Sequence, residues 1–155
     1  MSGQKNHGTP SSALQALADQ LRAEDTPISP HVIDPAEPPT LGELAASGPA
    51  TAAAPAEYAL VVEAVREGYL LHYGEPRLLS GHDADLALLA GDYLYALGLD
   101  RLAALGDTRA VALLADLISE CARRHAEGDV QGIPALWRTA AEEIAAGAAV
   151  STEKR

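Results

Sequence analysis

Apolar residues recur at helical spacing along most of the chain, and the densest stretch is Leu86 to Leu105, LALLAGDYLYALGLDRLAAL. Wound as a helix it is apolar on almost every side, which predicts a central, buried helix. Asp85, Asp92 and Asp100 fall on one seam, while Leu88, Gly91, Tyr95, Gly98 and Leu102 line another face. Each glycine costs about 1 kcal/mol of helix propensity relative to Ala. Either a close helix neighbour occupies that face or the glycines are tolerated ones in a long helix.

The other periodic stretches frame this one. Residues 1–10 are polar and predict a disordered N-terminus. Over 11–25, Ser11 or Ser12 can cap a short helix whose inner face carries Leu14, Leu17, Ala18 and Leu21. Residues 26–55 hold seven of the ten prolines and predict a Pro/Ala-rich linker or draped arm, with one helical turn at Leu41 to Ala46. A helical bundle domain is expected over 56–149, followed by a frayed tail at 150–155.

Within that domain, Tyr58, Val62, Val65, Tyr69 and Tyr73 make one stripe of a first helix, with Val61, Ala64, Gly68 and Leu71 beside it. Glu57, Glu63, Arg66 and Glu67 take the remaining face, where Glu63 and Arg66 can pair at i,i+3. Gly74 and Pro76 end the helix, and Ser80 or Asp83 can cap the next. Gly106 and Asp107 predict a turn and a cap for a helix with inner residues Ala110, Leu113, Leu114, Leu117, Ile118 and Cys121. Gly128 ends that helix. Pro134 sits in the first turn of a last one, with Leu136, Trp137, Ala140, Ala141, Ile144 and Ala148 inside.

Composition agrees with helices. The 155 residues are 48% hydrophobic but only 4% aromatic, with no Phe, so the core is Leu, Ala and Val. Such a core suits an all-α small helical bundle better than a sheet. The length allows one modest domain. A net charge of −11 argues against nucleic acid and anionic membrane surfaces as partners. Cys121 is the single cysteine, which fits a cytoplasmic setting and excludes an intrachain disulfide. The amino end lacks a signal-peptide core, and no membrane insertion is expected because Asp92 and Asp100 interrupt the most apolar stretch. No internal repeat of fixed period is visible.

Few residues suggest chemistry. His82, Asp83 and Asp85 can be imagined as metal ligands together with His72, but such a cluster at a helix start is usually capping. Cys121 reads as inert core, and Arg124 and His125 as cations complementing a helix C-terminus. Trp137 is a core anchor or an interface hot spot. Phosphate loops, Ser/His/Asp arrangements and HExxH patterns do not occur.

The run from Glu63 to Gln131 nevertheless resembles the central part of the trans-isoprenyl (polyprenyl) diphosphate synthases. Leu89-Ala90-Gly91-Asp92-Tyr93-Leu94 with Ala96 looks like their LAGDYL helix. Gly74-Glu75-Pro76 resembles their G-x-P, and Ala126-Glu127-Gly128-Asp129-Val130-Gln131 their A-E-G-E-x-x-Q segment, one residue short. The resemblance implies a fragment of the isoprenoid synthase fold. It places the family's arginine pair on His72 and Tyr73 and its first aspartate-rich motif on Glu63-Ala64-Val65-Arg66-Glu67. Only two glutamates remain there as degenerate diphosphate and metal positions, with Arg66 between them. A second such motif is not expected before the last residue given.

Magnesium held by several carboxylates is what neutralises a departing diphosphate, so autonomous catalysis is not expected. At i,i+4 on a polar helix face, Glu63 and Glu67 read as solvated surface, with relics of a metal site as the alternative. Asp92, if buried, needs a partner such as Arg66 or Arg77. In the family the helix with the LAGDYL-like motif also contributes to a dimer interface. The resemblance therefore implies a non-catalytic interaction or regulatory subunit, as a homodimer or beside a full-length prenyl synthase, with no cofactor. The alternatives are a component of a composite Mg²⁺-dependent synthase, and a helical adaptor unrelated to isoprenoids.

Overall fold

The computed structural model of the protein describes residues 13–147. The expected Ser11 or Ser12 cap, the N-terminal ten residues, Ala148 and the tail lie outside them. Among the described residues the chain is all-α, with helices α1 (Ala13–Ala23), α2 (Thr40–Ala45), α3 (Pro55–Tyr73), α4 (Ala84–Ala104), α5 (Thr108–Glu127) and α6 (Ile133–Ala146). No helix among these residues is long and apolar enough to cross a membrane.

The helix at the centre is α3, not α4 as the leucine content of α4 suggested. Around its whole circumference α3 buries side chains, from Tyr58 through Val61, Val65 and Tyr69 to Leu71. One side joins Ala110, Leu114, Cys121, Trp137 and Ile144 of α5 and α6 in a first core. The opposite side joins Leu14, Leu17 and Leu21 of α1 and Leu94 of α4 in a second. A helix shared by two cores has no polar face to spare, so the side expected to be solvated is inside.

By contrast α4 buries only Ala90, Gly91, Leu94, Gly98 and Leu102. Leu88 and Leu89 are each 56% exposed. The buried positions follow a narrow seam laid against α3, and its glycines answer to a close neighbour. A Cβ on Gly91 would stand 2.6 Å from His72 Nε2, and one on Gly98 2.6 Å from Val65 Cγ2. From the α3 side, a Cβ on Gly68 would come within 2.8 Å of the Gly91 carbonyl oxygen. The propensity that the two α4 glycines forfeit is offset by the packing distance they permit.

The proline-rich stretch is folded against the rest and is not a linker. Ile28, Gly42, Ala45, Ala46 and Thr51 are buried, and α2 forms where one turn was expected. Pro30 and Pro49 each open a short 3₁₀ turn, and Pro55 opens α3. In a first turn the missing N–H has no acceptor to lose, so prolines that look like breakers serve as starts. An antiparallel bridge between Val32 and Leu79, with Ile33 N donating to Leu78 O at 2.7 Å, ties the arm to the α3–α4 connector.

The other local signals hold. Asp83 caps α4 by accepting from Leu86 N, and Asp107 caps α5 by accepting from Ala110 N. Gly128 ends α5 in the left-handed conformation at φ 74°. On α5 the stripe Ala110, Leu114, Leu117 and Cys121 is buried, and Trp137 anchors α6 at 2% exposure.

Candidate functional site

Glu63 and Glu67 lie one helical turn apart on α3, and both are fully buried. This overturns the expectation of a solvated pair. What makes their burial possible is Arg77, which the Gly74–Pro76 reversal brings back alongside α3. Arg77 Nη1 donates to Glu63 Oε1 at 2.7 Å, and Arg77 Nε to Glu67 Oε1 at 2.9 Å. Backbone groups take the other two oxygens. Gly42 N donates to Glu63 Oε2 at 2.8 Å, while Arg77 N and Leu78 N donate to Glu67 Oε2 at 2.7 and 2.8 Å.

Two carboxylates and one guanidinium, with every carboxylate oxygen accepting, meet the condition under which charge survives burial. Burial works against the Arg77 cation, but the charges of Glu63 and Glu67 outweigh it and hold its pKa above the ordinary arginine value. Gly42 belongs to this arrangement sterically as well. A Cβ there would lie 2.7 Å from the Ala59 carbonyl oxygen and 2.9 Å from Glu63 Cγ.

These residues do not fit a magnesium site. Mg²⁺ needs oxygen ligands in near-octahedral array and retains water, whereas all four carboxylate oxygens already accept from N–H donors inside the protein. The Arg77 guanidinium bridges the two carboxylates. Among the described residues no group of three or more His, Cys, Asp or Glu is arranged to hold a metal. His72 is drawn to Asp92, and Asp83 is occupied as a cap.

Arg66 does not pair with Glu63 as its i,i+3 spacing suggested. Its guanidinium carbon stands 5.2 Å from the Tyr69 ring centroid and 5.1 Å from that of Trp137. Burial, and then the nearby Arg77 charge, push its pKa below the ordinary arginine value. A cavity of about 270 Å³ opens here, lined by Arg66, Arg77, Glu37, Glu75 and Thr40 among others.

The four motif residues on α4 scatter to different tasks. Gly91 gives room to the His72 ring. Asp92 is not buried with an arginine; its side chain is 77% exposed and accepts from or pairs with His72 Nε2 at 3.0 Å. Tyr93 donates its hydroxyl to Glu24 Oε1 at 2.8 Å, and burial together with that acceptor raises its pKa to about 12. Leu94 is core. Behind them, Tyr73 stacks on His125 with centroids 4.0 Å apart, and the Tyr69 hydroxyl meets His125 Nε2 at 2.8 Å. Cys121 is buried, and burial pushes its thiol pKa up, as suits inert core.

Arg77 is the residue that the sequence reading undervalued. A sequence signal existed: two glutamates at i,i+4 on a helix, then a Gly-x-Pro reversal, then an arginine ten residues after the second glutamate. Comparison with protein-family models, with curated proteins and with solved structures returns no match for this chain.

Proposed function

We propose that the chain is a non-catalytic, polyprenyl-synthase-like interaction or regulatory subunit in isoprenoid biosynthesis, which binds another helical protein through the outer side of α4. The observation that carries this reading is the adjacent pair Leu88 and Leu89, each 56% exposed near the start of a leucine-rich helix. Single exposed leucines are ordinary, but neighbouring ones on a helix that also leaves Ala96 and Ala103 open, interspersed with Asp85, Asp92 and Asp100, form a mixed apolar and acidic face of the kind partners cover. The consumed carboxylates of Glu63 and Glu67 support the non-catalytic half of the reading.

Charge argues for a different chain as the partner. Asp85, Asp92 and Asp100 are exposed along the same helix. Two copies joined α4 to α4 would bring like charges together, which costs binding energy. A partner helix with an apolar face flanked by Arg or Lys meets both features. A full-length trans-polyprenyl diphosphate synthase is the candidate that the sequence resemblance supplies.

The test is size-exclusion chromatography with light scattering, alone and with a purified full-length synthase. The protein alone should elute as a monomer, co-elute with the synthase, and lose that co-elution in a Leu88→Glu, Leu89→Glu variant that melts like the parent. A homodimer abolished by the same variant would replace the heteromer. Magnesium-dependent heat on titrating geranyl diphosphate into the protein alone would overturn the non-catalytic reading.

A further inference from the structure

We propose that the cavity over Arg66 binds a small zwitterion of the α-amino acid class, with the carboxylate on the edge of the Arg66 guanidinium and the ammonium against Glu37 and Glu75. The inference is separate from any partner on α4.

Arg66 is half-buried, and its guanidinium carbon stands over the Tyr69 and Trp137 rings at 5.2 and 5.1 Å from their centroids. Contact with ring π-systems gives the guanidinium no acceptor for its N–H groups, the part that grips a carboxylate in a two-pronged fork. Among the described residues that edge has no carboxylate and no hydrogen-bond acceptor. Arg77 stands on the same cavity but is already neutralised by Glu63 and Glu67. Arg66 is therefore the cation of this site that no carboxylate contacts directly, although the Glu63 charge lies nearby, and a ligand carboxylate relieves both its desolvation and its repulsion from Arg77.

The rim decides which carboxylate compound fits. Glu37 and Glu75 line the same cavity, are exposed, and form no ion pair among the described residues. A simple monoanion pairs with Arg66 at the cost of facing two carboxylates, and a diphosphate is repelled more strongly. A zwitterion adds no net charge and pairs with both ends of the site. The volume, about 270 Å³, lies at the small end of ligand cavities, which suits an amino-acid-sized solute and not an isoprenoid chain.

Isothermal titration of the whole protein with L-alanine, propionate, L-alaninamide and inorganic diphosphate, each to about 10 mM at constant ionic strength, tests this over the millimolar range. L-Alanine should bind about tenfold or more tightly than propionate or L-alaninamide, each of which lacks one charge-assisted contact. Arg66→Gln should abolish the heat. Because Arg66 also packs on two aromatic rings, Glu37→Gln provides a second variant at an exposed position: it should weaken L-alanine without weakening propionate. No heat from L-alanine, equal binding of propionate, tighter binding of diphosphate, or L-alanine affinity unchanged in both variants would each overturn the proposal.

Discussion

Glu63 and Arg77 meet at 2.7 Å between Oε1 and Nη1, with the carboxylate fully buried and its second oxygen accepting from Gly42 N at 2.8 Å. One side chain thus joins the proline-rich arm, the central helix and the α3–α4 connector. The arm is held by an inside charge network as well as by apolar packing.

Removing the cation alone should be severe. Arg77→Met leaves Glu63 and Glu67 buried without a counter-charge and should cost about 3–5 kcal/mol in urea unfolding. Adding Glu63→Gln and Glu67→Gln to that background should recover part of the loss, since neutral amides still offer carbonyl oxygens to the backbone N–H groups of positions 42, 77 and 78. If Arg77→Met unfolds at the parent urea midpoint, the network contributes nothing to stability.

The glycine seam makes the opposite forecast from helix propensity. Gly98→Ala gains about 1 kcal/mol of propensity but places a methyl 2.6 Å from Val65 Cγ2 and 3.2 Å from the Val61 carbonyl oxygen. Overpacking of this kind costs about 1–3 kcal/mol, so the thermal midpoint should fall. Val65→Ala in the same chain should restore much of it, and a rise in the midpoint for Gly98→Ala alone would show that α3 and α4 stand further apart.

Three leucines on one helix should behave differently. Leu94 is fully buried, so Leu94→Ala should cost about 2–5 kcal/mol through lost contacts and a cavity. Leu88→Ala and Leu89→Ala should stay within about 0.5 kcal/mol of the parent in the isolated protein. Equal losses at all three would place the outer face of α4 inside a stable self-assembly.

Alkaline pH should weaken the fold through two tyrosines. Burial and an adjacent carboxylate, Asp107 for Tyr58 and Glu24 for Tyr93, raise both phenol pKa values from 10.0 to about 12. A phenol whose folded pKa is raised stabilises fully below the unfolded value and loses that contribution as pH climbs through the folded one. Urea midpoints should therefore hold to about pH 10 and decline from there through about pH 12, with a shallower decline in Tyr58→Phe and Tyr93→Phe. A midpoint constant across that window would contradict the two hydrogen bonds.

Local chemistry was readable wherever it depends on near neighbours in the chain. The Asp83 and Asp107 caps, the Gly128 stop, the α1 stripe of Leu14, Leu17, Ala18 and Leu21, and the turn of helix inside the arm follow from spacing within a few residues. Burial was harder to read. Glu63 and Glu67 look polar and solvated on a wheel, and α4 looks more buried than α3 because hydrophobicity counts residues and not the neighbours available to cover them.

The sequence by itself determined an all-α chain of low aromatic content and where several of its helices start and stop, because these follow from backbone sterics and short-range hydrogen bonding. Only the tertiary structure decided that α3 is the shared centre, that the arm belongs to the core, and that Arg77 is delivered to Glu63 and Glu67. Those outcomes depend on which distant segments meet. A charge can be buried only where its partner is delivered from elsewhere in the chain, and helical periodicity carries no information about that delivery.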